Sequence, residues 1–470
     1  MGDQRRRTKI VATIGPATST HDAVRELVEA GVDAIRLNFS HGKHEDHGAR
    51  ARIVREVQEE LGKPLALIAD LQGPKLRIGD LEAPRMLLKG EEVQIVGEQH
   101  AVDSELPVAP AVIGEVLRPG HDVLIDDGLV RLTVTEVEQG RAMCTVVVGG
   151  EVKSHKGVNL PGVPIPIPSL TKKDLDDLQF ALGLGADFVA LSFVRAAADV
   201  RDLQAIIRQH GSPARVIAKV EKAEAIEALH EIIVEADAVM VARGDLGVEI
   251  GAATVPLLQK RIILECLEAG KPVITATQML ESMIEHAEPT RAEASDVANA
   301  VLDGTSAIML SAETATGNYP VEAVQTMDRI ARAVEPSMDY RHELPGPAED
   351  PTVGRAMSNA ACDLAEALGA SAILVPTFTG RTASAVARLR PRRPVVGLSH
   401  HQTALQQMAL EWGIMPVLLP QTENVEDLWT RSLESAVKAG AVKAGDRVVT
   451  TAGTAVNLPG STNVIKVDIA

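Results

Sequence analysis

The chain has 470 residues, 45% hydrophobic and 24% charged, with a formal charge of −17 at pH 7. That is an ordinary globular composition, long enough for two or three domains. Only 2% aromatic residues leave few rings to stack on bases. The negative charge further disfavours nucleic acid or an anionic membrane as partner, so an anionic substrate needs a local positive pocket or a metal set against this field.

The first residues, Met1-Gly-Asp-Gln-Arg-Arg-Arg-Thr8, have no apolar stretch behind their charges. No signal peptide and no membrane span are expected here or further along. Short apolar runs then recur at Lys9–Ile14, Ala34–Phe39, Leu65–Ala69, Phe188–Phe193, Val216–Val220, Ala238–Val241, Pro272–Ala276 and Ala307–Leu310. Amphipathic stretches such as His21–Ala30, Glu224–Ala236 and Val255–Ala269 follow most of them. Buried runs alternating with helices predict a parallel sheet, and eight such units predict a closed (β/α)8 TIM barrel.

One unit is interrupted. Between Asp70-Leu-Gln-Gly-Pro74 and the helix expected at Leu170–Gly183 lie the runs Glu92–Val96, His121–Ile125, Val130–Val134 and Met143–Val148. Turn signals at Asp127-Gly128 and Gly149-Gly150 punctuate them, which predicts a small β-barrel lid over 74–164. Pro161, Gly162, Pro164, Pro166 and Pro168 mark the return to the barrel. The barrel is expected over 1–73 and 165–340, ending in a helix Pro320–Glu335. The acidic, proline-rich linker Glu343–Pro351 follows. A C-terminal open α/β domain is expected over 350–470, with strands Ala372–Pro376, Pro394–Leu398, Met415–Leu419, Arg447–Thr451 and Asn463–Val467. Cys144, Cys266 and Cys362 have no metal-ligand spacing and read as reduced, buried thiols of a cytoplasmic protein.

Polar residues cluster at the carboxyl ends of the barrel runs: Asn38 and Ser40, Asp70, Ser192, Lys219 and Glu221, Asp245, Thr277, Ser311 and Glu313. The active site of such a barrel sits on that face. Residues i and i+2 of a strand share a side, so Lys219 and Glu221 point together, as do Arg36 and Asn38. If the fifth and sixth strands are neighbours, Glu221 and Asp245 converge beside an ammonium group. Hard-cation ligands next to a fixed positive charge suit a phosphorylated, anionic substrate. Arg36 can fork onto a phosphate or simply cap a strand at the surface. Thr277 is expected to open a helix whose N-terminus favours an anion, whereas Thr290-Arg-Ala-Glu293 reads as plain capping.

Several segments carry a resemblance. Lys9-Ile-Val-Ala-Thr-Ile-Gly-Pro16, Arg36-Leu-Asn-Phe-Ser-His-Gly42, Lys219-Val-Glu221, Met240-Val-Ala-Arg-Gly-Asp-Leu-Gly247, Ala276-Thr-Gln-Met-Leu-Glu-Ser-Met283 and 289–320 resemble the pyruvate kinase family, in family order over nearly the whole chain. The resemblance implies phosphoryl transfer from phosphoenolpyruvate to ADP, giving pyruvate and ATP, by a homotetramer. It implies Lys219 neutralising the phosphoryl group in flight and Glu221 with Asp245 holding Mg2+ or Mn2+. The backbone of Gly244 and Asp245 would take the substrate carboxylate, and Arg36 the phosphate. Thr277 would stand near the carbon that is protonated, with Ser311 on the proton path or purely structural. Asn38, Phe39, Ser40, His41, Arg77 and Lys156 would face the nucleotide. Such a site is positioning plus charge neutralisation, as phosphoryl transfer requires.

The chain departs from the family pattern after Gly-Pro, where K+-requiring members carry Glu and this chain has Lys75. That resembles a potassium-independent branch in which a fixed ammonium supplies the charge of a bound K+. Asn38, Ser40, Asp70 and Leu71 would then be a remnant cation pocket. Ala312 and Thr316 also stand where Gly and Lys are common. In the last domain Thr377, Thr379, Gly380, Arg381 and Thr382 match the place where the family holds sugar-phosphate or nucleotide effectors, AMP included. The companion loop Ala452–Gly460 has no basic residue, and an ordinary capped helix is the alternative. Two rivals remain from the residues alone: a Mg2+-dependent aldolase or lyase barrel acting on a 2-oxo acid, and a catalytically silent phosphate sensor.

Overall fold

The computed structural model describes residues 5–102, 104–338, 353–453 and 462–470. The linker Glu343–Pro351 and most of the loop Ala452–Gly460 lie outside them. Eight parallel strands close a barrel: β1 Lys9–Thr13, β2 Ala34–Asn38, β3 Ala66–Asp70, β4 Phe188–Leu191, β5 Arg215–Val220, β6 Ala238–Ala242, β7 Val273–Ala276 and β8 Ala307–Leu310. Neighbours pair in chain order, and β8 closes on β1 with Lys9 opposite Ala307. Each run found in the sequence is a strand, because a strand covered on both faces must be apolar on both.

The barrel interior follows strict alternation. Val11, Ala34, Ile68, Phe188, Ile217, Met240, Ile274 and Met309 pack inside it. Ile35, Leu37, Leu67, Val216, Ala218 and Val239 face the helices instead. Small alanines at 34, 66, 190, 238 and 307 make room for Phe188 and the methionines. Ala409 and Leu410 of the C-terminal domain join this cluster and plug the barrel floor.

The connecting helices largely match expectation, with one correction. The stretch expected as a single helix at Glu224–Ala236 is two, Ala223–Glu227 and Leu229–Glu235, broken at Ala228. The amphipathic pattern runs through the break because both pieces present apolar residues to the same strands, Ala225, Leu229, Ile232 and Ile233 among them. The interrupting segment forms a closed seven-stranded barrel. The expected runs are strands there. Leu76–Ile78, Leu106–Ala109 and Gly157–Asn159, which the sequence did not single out, complete the circle. The insert leaves through Gly73, whose φ of +70° puts it in the left-handed region. A Cβ there would lie 2.8 Å from the Phe193 ring and 3.0 Å from Ser192 Cβ, so only glycine fits. The return segment is held by Arg195, which donates to the carbonyls of Ile165 (2.7 Å) and Ile167 (2.8 Å).

The last domain has strands β9 Ala372–Pro376, β10 Val395–Ser399, β11 Ile414–Leu418, β12 Arg447–Gly453 and β13 Thr462–Ile469, ordered β11-β10-β9-β12-β13 with only β13 antiparallel. It docks on the barrel floor through Lys9 Nζ to the Ile414 carbonyl (2.7 Å) and Gly413 N–H to the Arg7 carbonyl (2.9 Å). No described helix is long and apolar enough to cross a membrane. Cys144, Cys266 and Cys362 are all buried.

One buried ion cluster pins the barrel floor. Arg6 pairs with Asp33 (2.9 Å) and Asp328 (2.8 Å), and Asp33 also accepts the Ile10 N–H (3.0 Å). Burial pushes the Asp33 carboxyl up, but Arg6, Lys9 and Lys63 overcome it and bring it down to about 2. An unfolded Asp titrates at about 3.9. The lowered pKa therefore corresponds to about 2.6 kcal/mol of stability above that pH, and this is lost as pH falls through about 2. Asp33→Asn should be less stable than the parent by about that much at pH 7, measured by denaturant unfolding. The gap should narrow between pH 4 and pH 2. An equal gap at pH 3 and pH 7 would contradict the assignment.

Candidate active site

The interior parity of each strand continues into its last residue and builds the site. On β5, Ile217 lies inside the barrel, so Lys219 and then Glu221 do too; on β3, Ile68 leads to Asp70; on β2, Ala34 leads to Arg36. The top interior layer is thus polar where the layers below are apolar. Lys219 Nζ lies 2.9 Å from Glu221 Oε1, 3.2 Å from Asp70 Oδ1 and 2.7 Å from Ser192 Oγ. Arg36 donates to Asp70 Oδ2 (2.6 Å) and Thr13 Oγ1 (3.0 Å). The Asp70 and Glu221 carboxylates are almost fully buried.

This network fixes charge states. Burial alone would drive the Lys219 ammonium down, but Asp70 and Glu221 more than reverse it and hold its pKa well up. Burial would raise Asp70, but Lys219 and Arg36 hold it low. Glu221 is raised, first by burial and then by Asp245, with Lys219 opposing. Glu221 thus feels the Asp245 charge. No third His, Cys, Asp or Glu joins them in a metal-binding group among the described residues.

Asp245 lies in the first turn of the helix Arg243–Ile250, which starts directly after β6. Lys75 reaches it from the lid hinge, Nζ to Oδ1 at 3.3 Å. Lys75 therefore stands at the carboxylate expected to hold the metal. The pocket of Asn38, Ser40, Asp70 and Leu71 is filled by protein partners. Asp70 is taken by Arg36 and Lys219, Asn38 Oδ1 by the Ser40 N–H (3.1 Å), and the Leu71 carbonyl by the Ser192 hydroxyl (2.7 Å).

Three expectations are corrected. Thr277 does not open a helix: its φ is +66° and that of Gln278 +55°, and the next helical turn is a 3-10 segment at Glu281–Ile284. This left-handed turn, costly for a β-branched residue, is held by Arg243. Its guanidinium donates to the carbonyls of Thr277 (2.7 Å) and Gln278 (3.2 Å) and pairs with Asp296 at 2.7 Å. Second, the Gly244 N–H is engaged: it donates to Thr277 Oγ1 at 2.8 Å, while that hydroxyl donates to the Ala276 carbonyl at 2.7 Å. The Asp245 N–H, in the same first turn, has no intrahelical acceptor. Third, the Phe39 side chain cannot face a nucleotide. It is buried and stacked on His47 with centroids 4.4 Å apart, and only its carbonyl, bonded by Lys173 Nζ at 2.7 Å, reaches outward.

The residues expected to face a nucleotide come from both domains. His41 is exposed at the mouth; burial of part of its ring and then Arg77, Arg36, Lys75 and Lys173 lower its pKa. That set of cations is the local positive pocket that a chain of charge −17 requires. Arg77 belongs to the lid strand Leu76–Ile78 and donates to the His155 carbonyl (3.0 Å), while Lys156 pairs with Asp126 at 2.9 Å. Ser311 follows β8; its N–H donates to Glu313 (2.7 Å), whose other oxygen accepts from the Leu280 N–H (3.2 Å). Glu313 thus ties the Thr277–Leu280 turn to the Ser311 loop. In the last domain Thr377 Oγ1 accepts the Gly380 N–H (3.1 Å), and Thr382 bonds Thr462 (3.1 Å). Thr379 gives its carbonyl to Arg215, and Arg381 is exposed.

Arg243 and Glu313 were visible in the sequence but had no assigned role. Nothing in a single chain shows that an Arg directly after a strand will reach back to strained carbonyls beyond the next one.

A closed barrel with a polar top layer, paired carboxylates, fixed cations and a lid defines an enzyme that acts on a small anionic substrate at its carboxyl-end mouth. Residues 5–324 match the family description "Pyruvate kinase, barrel domain", and residues 355–468 match "Pyruvate kinase, alpha/beta domain". Relatives include a pyruvate kinase of Corynebacterium glutamicum, 44% identical over 99% of this chain and 98% of its own. Those of Clostridium acetobutylicum and Geobacillus stearothermophilus are each 42% identical, over 98% and 99% of this chain and 99% and 80% of theirs. The chain belongs to the pyruvate kinase family and is a phosphotransferase.

The Thr277 hydroxyl is placed by three groups at once: its own strained backbone, the Ala276 carbonyl and the Gly244 N–H. Thr277→Ser should keep turnover within about threefold, whereas Thr277→Val, of equal shape, should lower it about a hundredfold or more. Steady-state kinetics with both variants would check this, and equal activity would rule the hydroxyl out of the proton step.

Proposed function

We propose that this pyruvate kinase transfers the phosphoryl group of phosphoenolpyruvate to ADP at the mouth of β2–β8. The observation that carries the reading is the Lys219 ammonium, held charged and immobile between Asp70, Glu221 and Ser192. Arg36, fixed by Asp70 and Thr13, has guanidinium donors left to fork onto the substrate phosphate. Lys219 meets the charge on the phosphoryl group in flight, and because its partners are already set, little reorganisation is needed. The substrate carboxylate is received by the Asp245 N–H at the helix start, with the Gly244 N–H kept for Thr277.

Glu221 and Asp245 suit Mg2+ or Mn2+. Two carboxylates with no third ligand leave most of the coordination shell to substrate oxygens and water, which is the habit of Mg2+ at phosphate sites. When bound there, the ion adds positive charge beside the transferring group. The enolate left behind takes a proton at its methylene carbon. Turning the Thr277 hydroxyl from the Ala276 carbonyl to that carbon delivers the proton, and the Gly244 N–H stays in place to steady the oxygen. Ser311, tied to the same turn through Glu313, lies on the path that replenishes it. Asn38, Ser40, His41 and the Phe39 carbonyl on the barrel, with Arg77 and Lys156 on the lid, bracket the nucleotide.

The enzyme is read as K+-independent. Lys75 supplies a fixed ammonium at Asp245, and Asp70, Asn38 Oδ1 and the Leu71 carbonyl of the remnant pocket already have protein partners. The Thr377–Thr382 loop is read as an effector site for a sugar phosphate or a nucleotide, in a homotetramer. ATP formation from phosphoenolpyruvate and ADP should require Mg2+ or Mn2+ and fall by about a thousandfold or more in Lys219→Met. An active Lys219→Met enzyme would refute the role given to Lys219. Replacing K+ by tetramethylammonium should leave turnover within about twofold, while Lys75→Glu should make it K+-dependent. A parent enzyme that stops without K+ would overturn the reading of Lys75.

A further inference from the structure

Arg243 opens the helix that carries Asp245, and its side chain is buried. All three guanidinium nitrogens are engaged. Nε donates to the carbonyls of Ala276 and Thr277, each at 3.2 Å. Nη2 donates to those of Thr277 (2.7 Å) and Gln278 (3.2 Å). Nη1 donates to Gln259 Oε1 (3.3 Å) and Asp296 Oδ1 (2.8 Å). A guanidinium has five N–H groups in a fixed plane, and these contacts leave none for a substrate. Arg243 instead collects three successive carbonyls at the end of β7 and just beyond it, and so sets the shape of that turn.

The main chain beside it reaches the same turn. The next residue, Gly244, donates its N–H to Thr277 Oγ1 at 2.8 Å, and that hydroxyl donates to the Ala276 carbonyl at 2.7 Å. Thr277 is therefore held at its carbonyl by one residue and at its hydroxyl by the next. Threonine is stiff at its first side-chain torsion, so the direction of the hydroxyl follows the backbone, here at φ +66°. The residue after Gly244 is Asp245. Three consecutive residues thus carry the clamp on the turn, the bond to the hydroxyl and the carboxylate.

We propose that Arg243 is a positioning residue for the proton step alone, with the Thr277 hydroxyl as the donor, as in the proposed function. When the phosphoryl group leaves for ADP, the electron pair of the broken O–P bond stays on the enolate oxygen. That pair forms the carbonyl, the carbon–carbon double bond supplies the pair for a new C–H bond, and the proton comes from Thr277 Oγ1. The hydroxyl then recovers a proton from water by the Ser311 side. Without the guanidinium, the Thr277 and Gln278 carbonyls lose their donors and the left-handed pair relaxes. A displacement of about 1 Å at a reacting group costs about a hundredfold. Phosphoryl transfer is spared, because Lys219 and Arg36 are held by Asp70, Ser192, Glu221 and Thr13, none of which Arg243 touches.

Two rates of the full-length protein separate the steps. Rapid-quench single turnovers of phosphoenolpyruvate with ADP and Mg2+ report phosphoryl transfer as ATP formed. NMR of pyruvate with ATP and Mg2+ in deuterium oxide reports exchange of the methyl protons. Arg243→Lys keeps the charge but replaces a planar fork by one nitrogen. It should slow exchange about tenfold or more while ATP formation stays within about threefold. Asp296→Asn, at a carboxylate more than a third exposed, should move the ratio of the two rates the same way, and it carries the test if Arg243→Lys does not fold. Thr277→Val should abolish exchange. An unchanged ratio in whichever of the first two variants folds, with exchange lost in Thr277→Val, overturns the role of Arg243 and leaves that of Thr277. Exchange that persists in Thr277→Val overturns both. A parallel fall of the two rates in Arg243→Lys also overturns the proposal, because an arginine that merely supports the fold would lower both alike.

Discussion

The mouth of this barrel is organised by a buried ammonium. Lys219 touches three side chains from three strands: Asp70 of β3, Ser192 just past β4, and Glu221 at the end of its own β5. Each is tied in turn. Asp70 holds Arg36, its carbonyl accepts the Phe39 N–H at 2.9 Å, and Glu221 accepts the Phe193 N–H at 2.8 Å. Removing the ammonium would leave two buried carboxylates facing each other's field, a far larger penalty than the loss of one surface pair. The cation proposed to meet the transferring group thus fixes half of the mouth before any substrate arrives, which suits a group that acts without moving.

The other half has no such charge cluster, and strain takes its place. Thr277 and Gln278 are left-handed and would relax if nothing opposed them. Arg243 opposes them by collecting their carbonyls in one guanidinium, with Asp296 behind it, and Glu313 anchors the same turn from below. Phe193, φ +55°, is the corresponding irregular residue on the Lys219 side, and its N–H is spent on Glu221. A cation therefore governs each half: Lys219 among carboxylates for β2 to β5, and Arg243 among carbonyls for β6 to β8.

Much of this was legible in the chain. The apolar runs gave the barrel strands because a doubly covered strand has no polar face to confuse the reading. Period-two parity sent Lys219, Glu221, Arg36 and Asp70 inward, since each continues an interior column begun by Ile217, Ala34 or Ile68. What escaped was conformation set from a distance. Thr277 looks like a helix start because a hydroxyl before a helical turn usually caps one; only the reach of Arg243 makes the backbone left-handed. Gly244 looked free because its acceptor is a side chain from the neighbouring strand. The short lid strands Leu76–Ile78 and Gly157–Asn159 span too few residues for any alternation to register.

Lys75 joins the lid to the chemistry. It follows Gly73 across the hinge and lies against the returning strand, where a Cβ on Gly157 would come within 3.0 Å of its Cε. Its ammonium then ends on Asp245, in the barrel. The outgoing crossing from barrel to lid thus ends on one barrel carboxylate, whose charge Glu221 also feels. A cation at Asp245 would share it with Lys75, and the Lys75 stem leaves no room for a side chain at Gly157. The position of the lid and the charge at Asp245 are therefore not independent variables. That coupling needs no moving part beyond a lysine side chain.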